Sequence, residues 1–176
     1  MAVASGLAEN APLVGRARDA RTPDRTHDGW RLIALVRRLI RDEDFDPKDF
    51  VIVGSGRLVP TQHRSRISDV DLVARGRTWN RANELVELGR GYKEYAKFSG
   101  ALVVRLYEGL VEVCDHWFMD GAETDVLIES AEILDGLPYM RLDDLEAYKR
   151  QLDRPKDRRD LAVLSRTFQR SVLGTW

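Results

Sequence analysis

Apolar and polar positions change period several times along the chain, and each period belongs to a different element. In GWRLIALVRRLI, Trp30, Ile33, Val36, Leu39 and Ile40 recur at helical spacing while Arg31, Arg37, Arg38 and Arg41 take the other side, which predicts a helix capped by Asp28. The run FVIV is short, β-branched and ended by Gly54, as a buried strand would be. Residues 57–68 carry Pro60 and a cluster of basic and histidine side chains, and read as a loop with at most a helical turn. DVDLVA then alternates with period two, so Val70, Leu72 and Ala74 face a core while Asp69 and Asp71 share the opposite face. TWNRANELVELG predicts a second helix, with Thr78 as its cap and Trp79, Ala82, Leu85 and Val86 as its stripe.

Three strand-like runs follow, YKEYAKF, ALVVRLY and LVEVCDHWF, separated by the turn-forming pairs SG and EG, and together they predict an antiparallel meander. LDDLEAYKRQL spaces Asp143 and Glu146 as a capping box and aligns Leu145, Tyr148 and Leu152 on one side. A last helix starts near Pro155, with Leu161, Leu164 and Phe168 as its stripe. The expected fold class is α/β (α+β): a small mixed, mainly antiparallel sheet with helices on one face and a helical C-terminal extension. Residues 1–26, rich in Ala, Gly, Arg and Pro without periodicity, read as a flexible leader to a single domain over 27–176.

Composition narrows the function classes. With 176 residues, 43% of them hydrophobic, the chain is long enough for one well-filled core. Its 28 basic and 29 acidic residues balance, so no global field draws it to nucleic acid or an anionic membrane. A lone cysteine, Cys114, allows no internal disulfide, and three scattered histidines give no zinc-site spacing. With no secretory pattern and no apolar run of membrane-spanning length, the expected location is the cytoplasm, with no membrane partner. His63, His116 and Cys114 lack partners at a spacing that would make a nucleophile, and Cys114 reads as packing.

The chemistry gathers around VGSGRLVPTQHRSRISDVDLVA. Two carboxylates side by side repel unless a cation or a shared proton lies between them, and Mg²⁺ or Mn²⁺, which favour hard oxygens, are the natural occupants. A strand ending in Gly54, Ser55 and Gly56 frees backbone N–H groups and a hydroxyl to approach phosphate oxygens. Arg57, Arg64 and Arg66 stand nearby in sequence as contacts for an anionic acceptor.

VGSG followed by SDVDLV resembles the signature of the DNA polymerase beta-type nucleotidyltransferase superfamily, in which a hydrophobic-Gly-Ser turn precedes an Asp-hydrophobic-Asp strand. LDDLEAYKRQLDRPKDRRDLAVL resembles the C-terminal lysine helix and Arg-x-Lys-Asp-x-x-Asp-Leu segment of AbiEii-type nucleotidyltransferases, which include toxins of toxin-antitoxin pairs. At GSGRLVPTQ the closer likeness is to the minimal nucleotidyltransferases that serve as antitoxins, and the resemblance spans about residues 50–165. It implies transfer of a nucleotide from an NTP to a hydroxyl of an RNA 3′ end such as tRNA, of a protein or of a small molecule. It also implies a cognate toxin or antitoxin partner, or else a non-catalytic nucleotide- or partner-binding protein of the same fold.

Asp69 and Asp71 would be the catalytic, metal-binding pair. The superfamily's third carboxylate would come from GLVEVCDHWF, where alternation favours Glu112 and Asp115 would need a bulge. Gly54, Ser55, Gly56, Lys149, Lys156 and Asp157 would bind the nucleotide, the lysines on its β- and γ-phosphates. Asp160 would orient a neighbouring basic side chain or cap locally.

Overall fold

The computed structural model describes residues 25–96, 101–119 and 121–173. Residues 1–24 of the expected leader, the SG turn and the Phe168 side chain lie outside the described residues. Nine strands and five helices follow one another among them: β1 (His27–Asp28), α1 (Gly29–Glu43), β2 (Phe50–Val53), β3 (Arg66–Ile67), β4 (Val70–Ala74), α2 (Gly76–Glu87), β5 (Gly91–Tyr95), β6 (Leu102–Leu106), β7 (Val111–Cys114), α3 (Thr124–Glu129), β8 (Glu132–Leu134), β9 (Leu137–Tyr139), α4 (Leu142–Leu152) and α5 (Pro155–Leu173).

β1 and β3 form a small ribbon, and the other strands make a mixed sheet in the order β5-β6-β7-β4-β2-β9-β8. The predicted meander is present as β5, β6 and β7, paired antiparallel. β4 joins β7 in parallel, and β9 joins β2 in parallel. All four residues of β2 are buried, because this central strand is covered on both faces.

One face packs Leu32, Ile33, Val36 and Leu39 of α1 and Ala82 and Leu85 of α2 against Ile52, Leu72, Val104 and Val113. The other packs Leu127 and Ile128 of α3, Leu145 and Tyr148 of α4 and Leu164 of α5 against Val51, Val53, Val73 and Cys114. Helices therefore cover both faces of the sheet, and the side opposite the main core is a second core rather than a solvated surface.

Local departures from the sequence expectation have identifiable causes. Asp28 caps α1 as predicted, its Oδ1 accepting from the Arg31 N–H at 3.0 Å. Trp30, however, is 45% exposed. A Cβ on Gly29 would lie 2.7 Å from Val59 Cγ2, and this close approach turns Gly29 and Leu32 inward and Trp30 outward. Thr78 is no cap: it is buried inside α2, where its Oγ1 accepts from the Asp46 N–H at 2.9 Å. The capping box is absent from α4, where no side chain caps the first turn and Glu146 instead accepts from Arg150 at 2.8 Å. No helix among the described residues is long and apolar enough to cross a membrane.

Candidate active site

Strand register builds the acidic centre. Asp71 stands beside Val53 of β2 on one side and Glu112 of β7 on the other. Glu112 stands beside Arg105 of β6, and Arg105 beside Tyr92 of β5. Laterally paired residues share a face, so Tyr92, Arg105, Glu112, Asp71 and Val53 form one row across five strands. Asp69, two residues before Asp71, projects to the same side and accepts from Ser68 Oγ at 2.9 Å.

Removal from water, then the charge of Asp69, pushes Glu112 up to about 7. Asp71 is raised well above the usual carboxylate range, chiefly by burial and then by Asp69 and Glu112. The structure thus brings Asp69, Asp71 and Glu112 together. Asp115 is half exposed and paired with His116 Nδ1 at 2.7 Å, so β7 needs no bulge and Glu112 keeps the cluster position.

The glycine corner touches this cluster. β2 runs into a single 3₁₀ turn over Gly54–Leu58, with Gly54 at φ +60. A Cβ on Gly54 would lie 2.7 Å from Asp71 Oδ2, so only glycine lets the corner and the carboxylate meet. Ser55 lines the cleft beside it, with Arg64 Nη1 3.4 Å from its Oγ. Gly56 differs from expectation: it is buried off the cleft, where a Cβ would lie 2.8 Å from Ile52 Cγ2, so it serves close packing.

A cleft of about 740 Å³ separates the acidic row from a wall formed by α4 and the start of α5. Lys149, Arg154 and Lys156 line that wall, and the aromatic residues Trp117, Phe118 and Tyr148 line the cleft beside them. The Trp117 and Tyr148 ring centroids are 4.8 Å apart. Lys156 is exposed, and its charge acts on Asp71 across the gap.

Lys149 is only 1% exposed, with its Nζ 2.8 Å from Asp160 Oδ2 and 3.4 Å from Asp157 Oδ1. Asp157 departs from its expected nucleotide contact. It is completely buried and accepts from Arg154 Nε at 2.6 Å, so it orients Arg154 and Lys149 rather than meeting the cleft. Asp160 has the orienting role expected of it, reaching Lys149 and, at 3.4 Å, Arg64.

Two arginines of the basic loop turn away. Arg57 is buried, its Nε donating to the Met140 carbonyl at 2.8 Å and its Nη2 to Glu132 at 2.6 Å. Arg66 ties Thr26, through its backbone carbonyl and its Oγ1. Cys114 is buried beneath the site with its thiol pushed up by burial, which removes it as a nucleophile.

Sequence reasoning missed Glu94, Arg105, Arg154, Trp117 and Phe118 as cleft residues, and assigned Tyr148 to packing alone. Arg105 was accessible in principle, because a hairpin closed at EG sets it opposite Glu112. Arg154 was accessible too, as the arginine of the Arg-x-Lys-Asp segment, from which only Lys156 and Asp157 were taken as site residues.

The carboxylates on neighbouring strands are hard oxygen donors of the type a divalent cation takes, and a glycine stands against one of them. As placed among the described residues, no three or more His, Cys, Asp or Glu groups converge on one point, and Glu112 Oε1 lies 2.5 Å from Arg105 Nη1. A second hollow, of about 530 Å³ between α1, α2 and β5, has Leu39, Leu85, Tyr92 and Tyr107 in its lining and lacks such chemistry.

No protein-family model matches the chain, and comparison with curated proteins gives no match.

Proposed function

We propose that this chain is a nucleotidyltransferase that moves a nucleoside monophosphate from an NTP to a hydroxyl acceptor. The observation that carries the proposal is the contact between corner and cluster: Gly54 lies so close to Asp71 that a Cβ would meet Oδ2 at 2.7 Å. A glycine turn fitted to a carboxylate in register with Glu112, and faced across a cleft by Arg154 and Lys156, supports a reading in which the cleft takes a triphosphate.

Asp69, Asp71 and Glu112 would hold Mg²⁺ or Mn²⁺, which when bound supplies neutralisation of the developing phosphate charge. Glu112, pushed up to about 7, holds or releases a proton near neutrality and so suits the proton of the acceptor hydroxyl. Ser55 and the backbone of the corner orient the phosphates, and Lys156 and Arg154 draw the leaving pyrophosphate toward the helical wall. Lys149 lends its charge through a buried network rather than as an exposed contact. Positioning and electrostatics supply the rate, with no covalent protein intermediate.

The test is incubation with each α-labelled NTP and Mg²⁺, followed by sorting of the label among RNA, protein and small-molecule fractions. Transfer is expected to one fraction, and to vanish in the double variant Asp69→Asn, Asp71→Asn while its circular dichroism stays unchanged. Undiminished transfer by that variant rejects the proposal.

A second reading is a non-catalytic, antitoxin-like protein of the same fold that binds a nucleotide or a partner. It is favoured by the internal engagement of Glu112 by Arg105 and of Lys149 by two aspartates. Saturable NTP binding with no labelled product in any fraction would select it.

A further inference from the structure

Arg105 sits within the acidic row as its one basic side chain. Its Nη1 lies 2.5 Å from Glu112 Oε1 and its Nε 2.6 Å from Glu94 Oε1, with the side chain 23% exposed at the cleft. The hairpin turn between β6 and β7 lies beside this guanidinium. Tyr107, Glu108 and Gly109 all have left-handed backbone, with φ of 51, 59 and 88. A Cβ on Gly109 would stand 3.5 Å from Arg105 Nη1, an ordinary van der Waals distance, and 3.3 Å from the Tyr92 hydroxyl, so the turn packs beside the guanidinium.

Glu112 has little left to offer an incoming ligand. One carboxylate oxygen is engaged by Arg105 at 2.5 Å, and the charge of Asp69 bears on the same carboxyl. A divalent cation shared by Asp69, Asp71 and Glu112 needs oxygens that this pairing occupies, and it repels a guanidinium only one carboxylate away. Glu94 offers the displaced side chain a second anchor without leaving the sheet edge.

We propose that Arg105 is the resident counter-charge of Glu112, and that it leaves Glu112 for Glu94 alone when a divalent cation enters the cluster. The inference rests on the cluster binding such a cation, as the proposed function requires. The acids are then balanced in both states: by Arg105 in one, and by the cation in the other. Arg105 is a positioning residue that sets how readily the cation enters.

The experiment uses the full chain, labelled with ¹⁵N, and follows arginine Nε–Hε resonances while Mg²⁺ is added. The Arg105 resonance is identified by its loss in Arg105→Lys, and Mg²⁺ binding is measured in parallel by calorimetry. The resonance is expected to move with the same midpoint as binding. Arg105→Met is expected to bind Mg²⁺ about tenfold more tightly, because no charge-assisted pair has to be broken.

If Mg²⁺ binds while the Arg105 resonance stays fixed and Arg105→Met binds no tighter, Arg105 is only a brace for the hairpin, and the proposed function stands without this inference. If Mg²⁺ does not bind the wild-type chain, both are overturned. Should Arg105→Met fail to fold, Glu94→Gln replaces it. That variant removes the alternative anchor, so Mg²⁺ should bind severalfold more weakly and the Arg105 resonance should need more Mg²⁺ to move; an unmoved midpoint counts against the exchange.

Discussion

At Gly54 a single missing carbon serves two purposes, and they can be separated. The residue has φ +60, which costs any other L-residue about 1 to 2 kcal/mol, and its Cα hydrogen faces Asp71. Gly89 has φ +71 but nothing within 4 Å of a would-be Cβ. Gly54→Ala and Gly89→Ala should therefore lose comparable stability in urea denaturation. Only Gly54→Ala should also lose transfer activity and Mg²⁺ affinity, because its methyl group pushes the Asp71 carboxylate aside. Equal activity in the two variants would mean that the contact is incidental. The Asp69 and Asp71 pair was legible in sequence because alternation in DVDLVA places both outside the main core. Gly56 was misread because a glycine needed for packing and one needed for a ligand look alike until the neighbour is known, here Ile52.

Between elements, α4 and α5 are joined by a buried lysine. Lys149 and Asp157 are almost wholly sequestered, and breaking such a pair by removing one partner costs about 3 to 5 kcal/mol. Lys149→Met should thus lower thermal stability sharply and weaken NTP binding as a consequence. Lys156→Met should leave the melting temperature nearly unchanged and weaken NTP binding by about tenfold, since its exposed ammonium has no such structural duty. Thermal shift beside nucleotide titration separates the two, and similar melting temperatures would contradict the division of labour. Charges of this kind are illegible in sequence: Lys149 was expected on the phosphates and Arg57 on an acceptor, and only tertiary partners such as Asp160 and the Met140 carbonyl take them inside. The hairpin of β8 and β9 was legible and overlooked. Its turn, Asp135 and Gly136 with φ of 48 and 75, is the Asp-Gly pair expected between short apolar runs.

For the molecule as a whole, the acidic cluster stores a pH dependence of unusual sign. Glu112, ordinarily near 4.5, is pushed up to about 7, first by burial and then by Asp69, so the folded state binds its proton more tightly than the unfolded chain. Stability from this group is therefore complete below 4.5 and lost as pH rises through about 7, because burial and the charge of Asp69 outweigh the opposing charge of Arg105. In EDTA, the melting temperature of the wild type relative to Glu112→Gln should fall between about pH 5 and about pH 8, and Mg²⁺ should flatten that fall. A constant difference across the range would show that Glu112 titrates normally. The fold class was legible because each strand of the central sheet carries its own pattern, whereas the second core was not, since Trp117, Leu127 and Met140 come from segments with no sustained period. The order of the two cleft walls along the chain matters for synthesis. The acids lie between Asp69 and Glu112, and Arg154 and Lys156 follow the sheet, so a ribosome delivers the anionic half before the cationic half exists. A nascent chain that has folded its sheet still lacks the basic wall of its cleft, and on the proposed function translation itself would time the moment at which nucleotide can be held.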